Sequence, residues 1–176
     1  MQKTKRQPNC KMVMIMDLPQ RKINRLKEYD YNQTGAYFIT ICTQNREKVF
    51  WSNCRGELCS PANIPLSNLG ITVENEIKKL DIIYDAICVD KYVIMPDHIH
   101  FLITINSTAD GRTQFAPTIA RVVKQFKGSI TKQIGRPIWQ KSYYDHIIRN
   151  QHDYNEVWQY IENNPLKWIL KKQGVE

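Results

Sequence analysis

The sequence predicts an α+β fold in which an antiparallel or mixed sheet carries helices on one face. Three runs rich in β-branched and aromatic residues (35–43, 86–95 and 98–105) have the composition of strands. Three other segments repeat apolar residues at helical spacing, and they alternate with the strands along the chain. This order is typical of an α+β domain, and 176 residues are enough for one domain with its own core.

Residues 35–80 predict one strand, one loop and one helix. Gly35 to Thr43 is the strand, and residues 47–66 contain Gly and Pro residues that predict a loop or a small hairpin. Ser67 is expected to cap the helix, although Gly70 weakens its first turn. The apolar side of this helix consists of Ile71, Val73, Ile77 and Leu80.

Residues 86–135 predict a hairpin followed by an amphipathic helix. A break at Pro96-Asp97 separates the second and third strands, so they are expected to pair antiparallel. After a polar loop at 106–116, Pro117 is expected in the first turn of a helix that ends at Gly135. The apolar stripe of that helix consists of Ile119, Val122, Val123, Phe126, Ile130 and Ile134.

The last third predicts a short strand and a final helix. Residues 138–149 mix aromatic, cationic and β-branched side chains, as a loop leading into a strand does. Asp153 with Glu156 has the spacing of a capping box for the helix. We expect this helix to stop near Asn164, because Pro165 disfavours helical geometry in the residue before it.

The charge of the chain predicts a polyanionic partner. The formal net charge is +8 and the pI is about 9.3, which favours nucleic acid over a membrane surface. Residues 1–30 form a basic arm, and residues 31–172 are expected to be a single domain. On the helix after Pro117, the cations Arg121, Lys124 and Lys127 lie off the apolar stripe. They are either a solvated helix face or a ridge that contacts phosphates.

The cysteines and the hydropathy pattern predict a cytoplasmic protein. Five cysteines without zinc-type spacing are expected to be reduced thiols. The first residues lack the layout of a signal peptide, and no apolar run approaches the roughly 20 residues that span a bilayer. We therefore expect no membrane association.

Two of the four histidines stand one residue apart in the third strand. Side chains alternate along a strand, so His98 and His100 share one face, whereas Ile99, Phe101, Ile103 and Ile105 share the other. The apolar face predicts a core contact. The histidine face predicts two imidazole ligands of one metal ion that needs further ligands.

The final helix offers two polar groups on a face that is otherwise apolar. Tyr160 and Asn164 share this face with Val157 and Ile161, so they could reach the histidines. Two imidazoles and an amide oxygen could hold a divalent ion that polarises a phosphodiester, and a tyrosine beside them could attack its phosphorus. The alternative is a buried tyrosine and an asparagine that only ends the helix.

Three blocks of this sequence resemble one family of DNA-processing enzymes. Residues 93–103 (VIMPDHIHFLI) resemble the His-hydrophobic-His (HUH) motif of single-tyrosine transposases. Residues 138–149 (IWQKSYYDHIIR) and 160–165 (YIENNP) resemble the REP-associated branch of that family. The resemblance extends from about residue 25 to residue 170, with the blocks in the same order.

The resemblance implies a ferredoxin-like fold and metal-dependent cleavage of single-stranded DNA at hairpin-forming sites through a 5′-phosphotyrosine. It implies that His98, His100 and Asn164 ligate Mg²⁺ or Mn²⁺ and that Tyr160 is the nucleophile. The expected DNA contacts are Arg121, Lys124, Lys127, Arg149 and the basic arm. The relatives include monomers and helix-swapped homodimers, and neither the residues nor the resemblance assigns a role to His146.

Two other functions remain open at this point. A non-catalytic protein that binds DNA hairpins could keep the same fold and basic surface. A zinc hydrolase unrelated to DNA is the weaker alternative, because no Glu near the histidine pair offers a general base.

Overall fold

One sheet of four antiparallel strands organises the structure, a computed structural model that describes residues 33–52, 65–106 and 118–174. The strands are β1 (Gly35–Cys42), β2 (Ile87–Ile94), β3 (His98–Ile105) and β4 (Tyr144–Ile147). Their order across the sheet is β2-β3-β1-β4. The predicted hairpin of β2 and β3 is confirmed. The basic arm, most of the 47–66 loop and most of the 106–116 loop lie outside the described residues.

Helices cover both faces of this sheet. They are α1 (Asn68–Lys78), α2 (Leu80–Ile83), α3 (Ile119–Ile134) and α4 (Gln151–Gln173), with a 3-10 turn at Gln44–Arg46. The predicted α+β class with an antiparallel sheet is confirmed. The expectation of helices on a single face holds for α1 and α3, whereas α4 packs on the opposite face, against β2 and β3.

The main core lies between the sheet and the pair α1 and α3. The odd-numbered residues of β3 are buried there, and the ring of Phe101 meets that of Phe126 at 5.4 Å between centroids. Ile39 of β1 lies opposite Phe101 and is also fully buried. On the other face, Leu102 of β3 and Ile161 of α4 are buried. The sheet is therefore apolar on one face and mixed on the face that α4 covers.

Local signals position α1 and α3 largely as predicted. Ser67 accepts a hydrogen bond from the Gly70 N–H at 3.0 Å, and Gly135 ends α3 with φ +76°. Gly70 is required by space, because a Cβ there would lie 2.2 Å from the Phe50 carbonyl oxygen. Two details of the prediction were wrong. Ile71, which was expected on the apolar side of α1, is 46% exposed. Thr118 is the N-cap of α3, so the helix begins after Pro117, which lies outside the described residues.

The last helix differs most from its prediction. Asn150, and not Asp153, is the N-cap, because its side chain accepts from the Asp153 N–H. The helix also passes through Pro165 and ends at Gly174, which adopts the left-handed conformation. A proline inside a helix costs about 3 kcal/mol, since it removes one hydrogen bond and crowds the preceding turn. Pro165 itself is buried, and Trp168 packs edge-on against Trp51 at 4.8 Å between centroids. Packing of this kind offsets the local cost.

Candidate metal and tyrosine site

The two histidines of β3 lie under α4, near the middle of the sheet. His100 is 4% exposed and His98 is partly buried. Their Nε2 atoms are 3.1 Å apart, so the two rings converge on one point. Two cis ligands of a single ion are separated by roughly this distance when the bonds to the ion are about 2.1 Å long.

The outer nitrogen of each ring is held by a neighbouring side chain. Nδ1 of His98 lies 2.5 Å from Asp97 Oδ1, and Nδ1 of His100 lies 2.8 Å from Thr40 Oγ1. A carboxylate can only accept a hydrogen bond, so Nδ1 of His98 carries the proton and its Nε2 keeps a lone pair. Such partners fix the tautomer and orientation of imidazoles that ligate metals.

Both imidazoles are kept neutral by burial. Burial lowers the pKa of His98, although the Asp97 carboxylate opposes this effect. Burial, together with the charges of His98 and Arg46, lowers the pKa of His100 from 6.5 to about 3. A neutral imidazole is the form that ligates a metal, because the charged ring has no free lone pair. The pair therefore has the charge state that a metal site needs.

Asn164 is the candidate for a third ligand. Within the described ranges, no three His, Cys, Asp or Glu side chains form a group that could hold a metal ion. The side chain of Asn164 is partly buried and makes no hydrogen bond in the described part of the chain. It lies one helical turn after Tyr160, although no direct bond joins it to the histidines. Two neutral imidazoles and one unbonded amide fit a divalent ion that keeps open positions.

Tyr160 lies directly beside the histidine pair. Its ring centroid is 5.3 Å from that of His100, and its edge meets the ring of Phe38 at 5.7 Å between centroids. The side chain is 46% exposed, so the alternative of a buried tyrosine is wrong. The alternative of Asn164 as a helix end is also wrong, because α4 continues past it. Tyr160 lies beside His100 of the same chain.

Arg46 is a residue of this site that sequence reasoning missed. Its Nε lies 3.2 Å from Asp97 Oδ2, and its Nη1 donates to Cys42 Sγ at 2.7 Å. Asn45 and Arg46 both adopt left-handed backbone conformations, with φ of 53° and 57°. Such strain in non-glycine residues persists only where the surrounding contacts impose it. Arg46, Asp97 and His98 therefore form a chain of contacts that reaches the histidine pair.

Comparison with known proteins identifies the family of this chain. A family model described as "Transposase IS200 like" matches residues 31–164. The chain belongs to the IS200-like transposase family. The REP-associated tyrosine transposase of Escherichia coli K12 is 32% identical over 142 residues, which cover 79% of this chain and 72% of the relative. A putative REP-associated tyrosine transposase of Haemophilus influenzae is 27% identical over 146 residues, or 78% of this chain and 74% of the relative.

A solved structure shows the same fold. It is a REP-associated tyrosine transposase bound to a REP hairpin, with a TM-score of 0.53 and 23% sequence identity. The match covers 76% of this chain and 67% of the other.

The structure separates the four cations predicted to contact DNA. In this IS200-like transposase, Lys127 donates to the Gln140 and Ser142 carbonyls at 2.8 and 3.0 Å, and burial lowers its pKa. Lys127 therefore holds this loop in place, and its role as a phosphate contact stays a prediction. Arg121 and Lys124 are exposed on α3, which lies across the sheet from the histidines. Arg149 is exposed beside the start of α4.

His146 connects β4 to α4. Its Nε2 lies 3.0 Å from Asp153 Oδ1, and the other oxygen of Asp153 accepts from the Arg149 N–H. Burial would raise the pKa of Asp153, but these hydrogen bonds outweigh it and lower that pKa. The pair fixes the first turn of the helix that carries Tyr160, which is a positioning role.

Two broader expectations concern membranes and thiols. None of the helices described in this IS200-like transposase combines the length and the apolar character of a membrane span. Cys42 and Cys88, which lie in the described ranges, are free thiols.

Proposed function

We propose that this transposase cleaves and rejoins single-stranded DNA through a covalent 5′-phosphotyrosine at Tyr160. The observation that carries the proposal is an exposed phenol beside two neutral imidazoles whose Nε2 atoms converge. A nucleophile next to a position that could hold a metal ion is an arrangement suited to phosphodiester cleavage.

His98, His100 and Asn164 are the residues that would hold a Mg²⁺ or Mn²⁺ ion. The ion would act as a Lewis acid that withdraws charge from a phosphodiester oxygen. Asp97 and Thr40 orient the two imidazoles through their outer nitrogens. Mixed imidazole and amide ligation suits Mn²⁺ slightly better than Mg²⁺, because nitrogen is the softer donor.

Tyr160 supplies the bond that forms in the reaction. Its Oη attacks the phosphorus, and the bond from phosphorus to the 3′ oxygen breaks. The phenol loses one proton, and the departing 3′ oxygen gains one to become a free hydroxyl. Rejoining is the reverse reaction with a 3′-hydroxyl as the attacking group. Partial exposure of Tyr160 leaves room for a DNA strand to approach this oxygen.

Hairpin-forming DNA is the proposed substrate class. Two relatives are named REP-associated tyrosine transposases, and the structural neighbour was solved with a REP hairpin. The net charge of +8 is suited to a polyanion of this kind. A protein that binds hairpins without cleaving them would retain this charge, so the test must detect the covalent step.

The deciding experiment looks for a protein–DNA adduct. Labelled single-stranded DNA from the flanks of the chromosomal locus is incubated with the protein and Mn²⁺, and the adduct is resolved by denaturing electrophoresis. We expect an adduct that disappears with chelator and in Tyr160→Phe. Tyr144→Phe is the matched control, because Tyr144 is 53% exposed and pairs with Thr40 on the same face of the sheet.

Each outcome separates one part of the proposal. An adduct that survives Tyr160→Phe and is lost in Tyr144→Phe would show that the nucleophile is misassigned. Hairpin binding without any adduct, with either metal, would favour the non-catalytic protein. An adduct that resists chelator would contradict the metal site.

A further inference from the structure

We infer that the C-terminal half of α4 provides a stacking site for unpaired nucleotides of the DNA strand that reaches Tyr160. The inference rests on the proposed DNA substrate and adds a binding surface to it. This surface, the Trp168 surface, consists of Lys48, Trp51, Trp168 and Lys172. It exists because α4 continues past Pro165.

Two lysines flank the indole ring of Trp168. Lys48 Nζ lies 5.8 Å and Lys172 Nζ lies 5.4 Å from the ring centroid, and Trp51 packs edge-on against the same ring. Both lysines are exposed, and neither forms an ion pair within the described part of the chain. An aromatic ring beside two cations that form no ion pair is the composition of single-strand binding sites, where bases stack and phosphates meet lysines.

The surface is anchored to the turn that carries the metal site. Trp51 Nε1 donates to the Ile94 carbonyl at 2.7 Å, and the Val49 and Phe50 N–H groups donate to the Pro96 carbonyl. Pro96 immediately precedes Asp97 and the first histidine. The Trp168 surface and the histidine pair therefore flank the same β2–β3 turn.

One row of side chains along α4 connects the surface to the nucleophile. Tyr160, Asn164, Trp168 and Lys172 are spaced by four residues, so they follow one ridge of the helix. Eight residues separate Tyr160 from Trp168, which is about 12 Å along the axis. A stacked strand covers this distance with roughly three to four nucleotides. A base on Trp168 would thus belong to the single-stranded flank of the cleaved phosphate.

The experiment compares two labelled probes by fluorescence anisotropy. One is a bare hairpin oligonucleotide, and the other carries a single-stranded extension of about six thymidines, within the usual length of such sites. We expect wild-type protein to bind the extended probe more tightly. Trp168→Ala should weaken that binding by about fivefold to thirtyfold and leave the bare hairpin nearly unchanged.

The lysines are tested by the salt dependence of binding. Lys172→Gln should lower the slope of log Kd against log salt by about 0.7 for the extended probe. Lys132→Gln is the matched control, because Lys132 also lies exposed in the last turn of its helix but on α3. Trp168→Phe keeps an aromatic face and should restore most of the binding lost in Trp168→Ala.

The results distinguish this surface from the proposed function. If wild-type protein binds both probes equally, or if Lys132→Gln changes the slope as much as Lys172→Gln does, the surface is refuted while hairpin binding stands. If Trp168→Ala weakens both probes alike, the residue only supports the helix, and the surface is again refuted. If wild-type protein binds neither probe, the proposed substrate class itself is wrong.

Discussion

Replacing Asp97 with Asn should weaken metal binding without disturbing the fold. The side chain of Asp97 is 13% exposed and its Oδ1 lies 2.5 Å from Nδ1 of His98, so its charge is poorly screened. An amide oxygen can still accept from Nδ1, but it does not supply the negative charge that makes the ring more basic. Partners of this kind typically contribute tenfold to a hundredfold in metal affinity, or about 1.4 to 2.7 kcal/mol.

The assay measures the Mn²⁺ affinity of metal-free protein by isothermal titration calorimetry. The fold should survive, because the backbone carbonyl of residue 97 still accepts from Thr43. Asp153→Asn is the matched control, since it removes the carboxylate partner of another histidine, His146, at the start of α4. Equal Mn²⁺ affinity in wild type and Asp97→Asn would refute the reasoning, and an equal loss of affinity in Asp97→Asn and Asp153→Asn would show that the effect is not specific to the carboxylate beside His98.

Three further predictions concern stability. In metal-free protein, the pKa of His100 is about 3 in the folded state, whereas the ordinary value in an unfolded chain is 6.5. The unfolded chain therefore binds a proton at a higher pH than the folded protein does, and the free energy of unfolding falls as the pH drops from about 6.5 toward 3. In urea unfolding, His100→Gln should reduce the loss of unfolding free energy by at most about 1.4 kcal/mol per pH unit. A pH profile identical to that of wild type would contradict the burial of a neutral ring. Gly70→Ala should destabilise by about 1–3 kcal/mol or more, because the new Cβ meets the Phe50 carbonyl. Gly128→Ala, with nothing within 4 Å, should stabilise α3 by about 0.5–1 kcal/mol, and a loss there would contradict that open space.

Local patterns in the sequence predicted most of the secondary structure. Alternation identified β3 and its two faces, and cap signals identified the start of α1 at Ser67 and the end of α3 at Gly135. The prediction that the final helix stops before Pro165 was wrong, because a local preference was weaker than the packing of the turns that follow. Proline rules describe the chain alone, whereas Trp168 finds its partner 117 positions away in Trp51.

The sequence by itself determined which residues are candidates for the chemistry. The spacing of His98 and His100 sets a shared face, and the spacing of Tyr160 and Asn164 sets one helical ridge, because strand and helix periods are fixed by backbone geometry. The resemblance to single-tyrosine transposases, carried by three blocks, gave these residues their expected roles.

Only the tertiary structure decided how these groups meet. The pairing register of β1 with β3 places Thr40 beside His100, and a strained turn brings Arg46 to Asp97. The tertiary structure also directs Lys127 to the backbone carbonyl of Gln140 and places Lys48 over the ring of Trp168. Such contacts join residues far apart in the chain, and they depend on which surfaces pack together, so no local period encodes them.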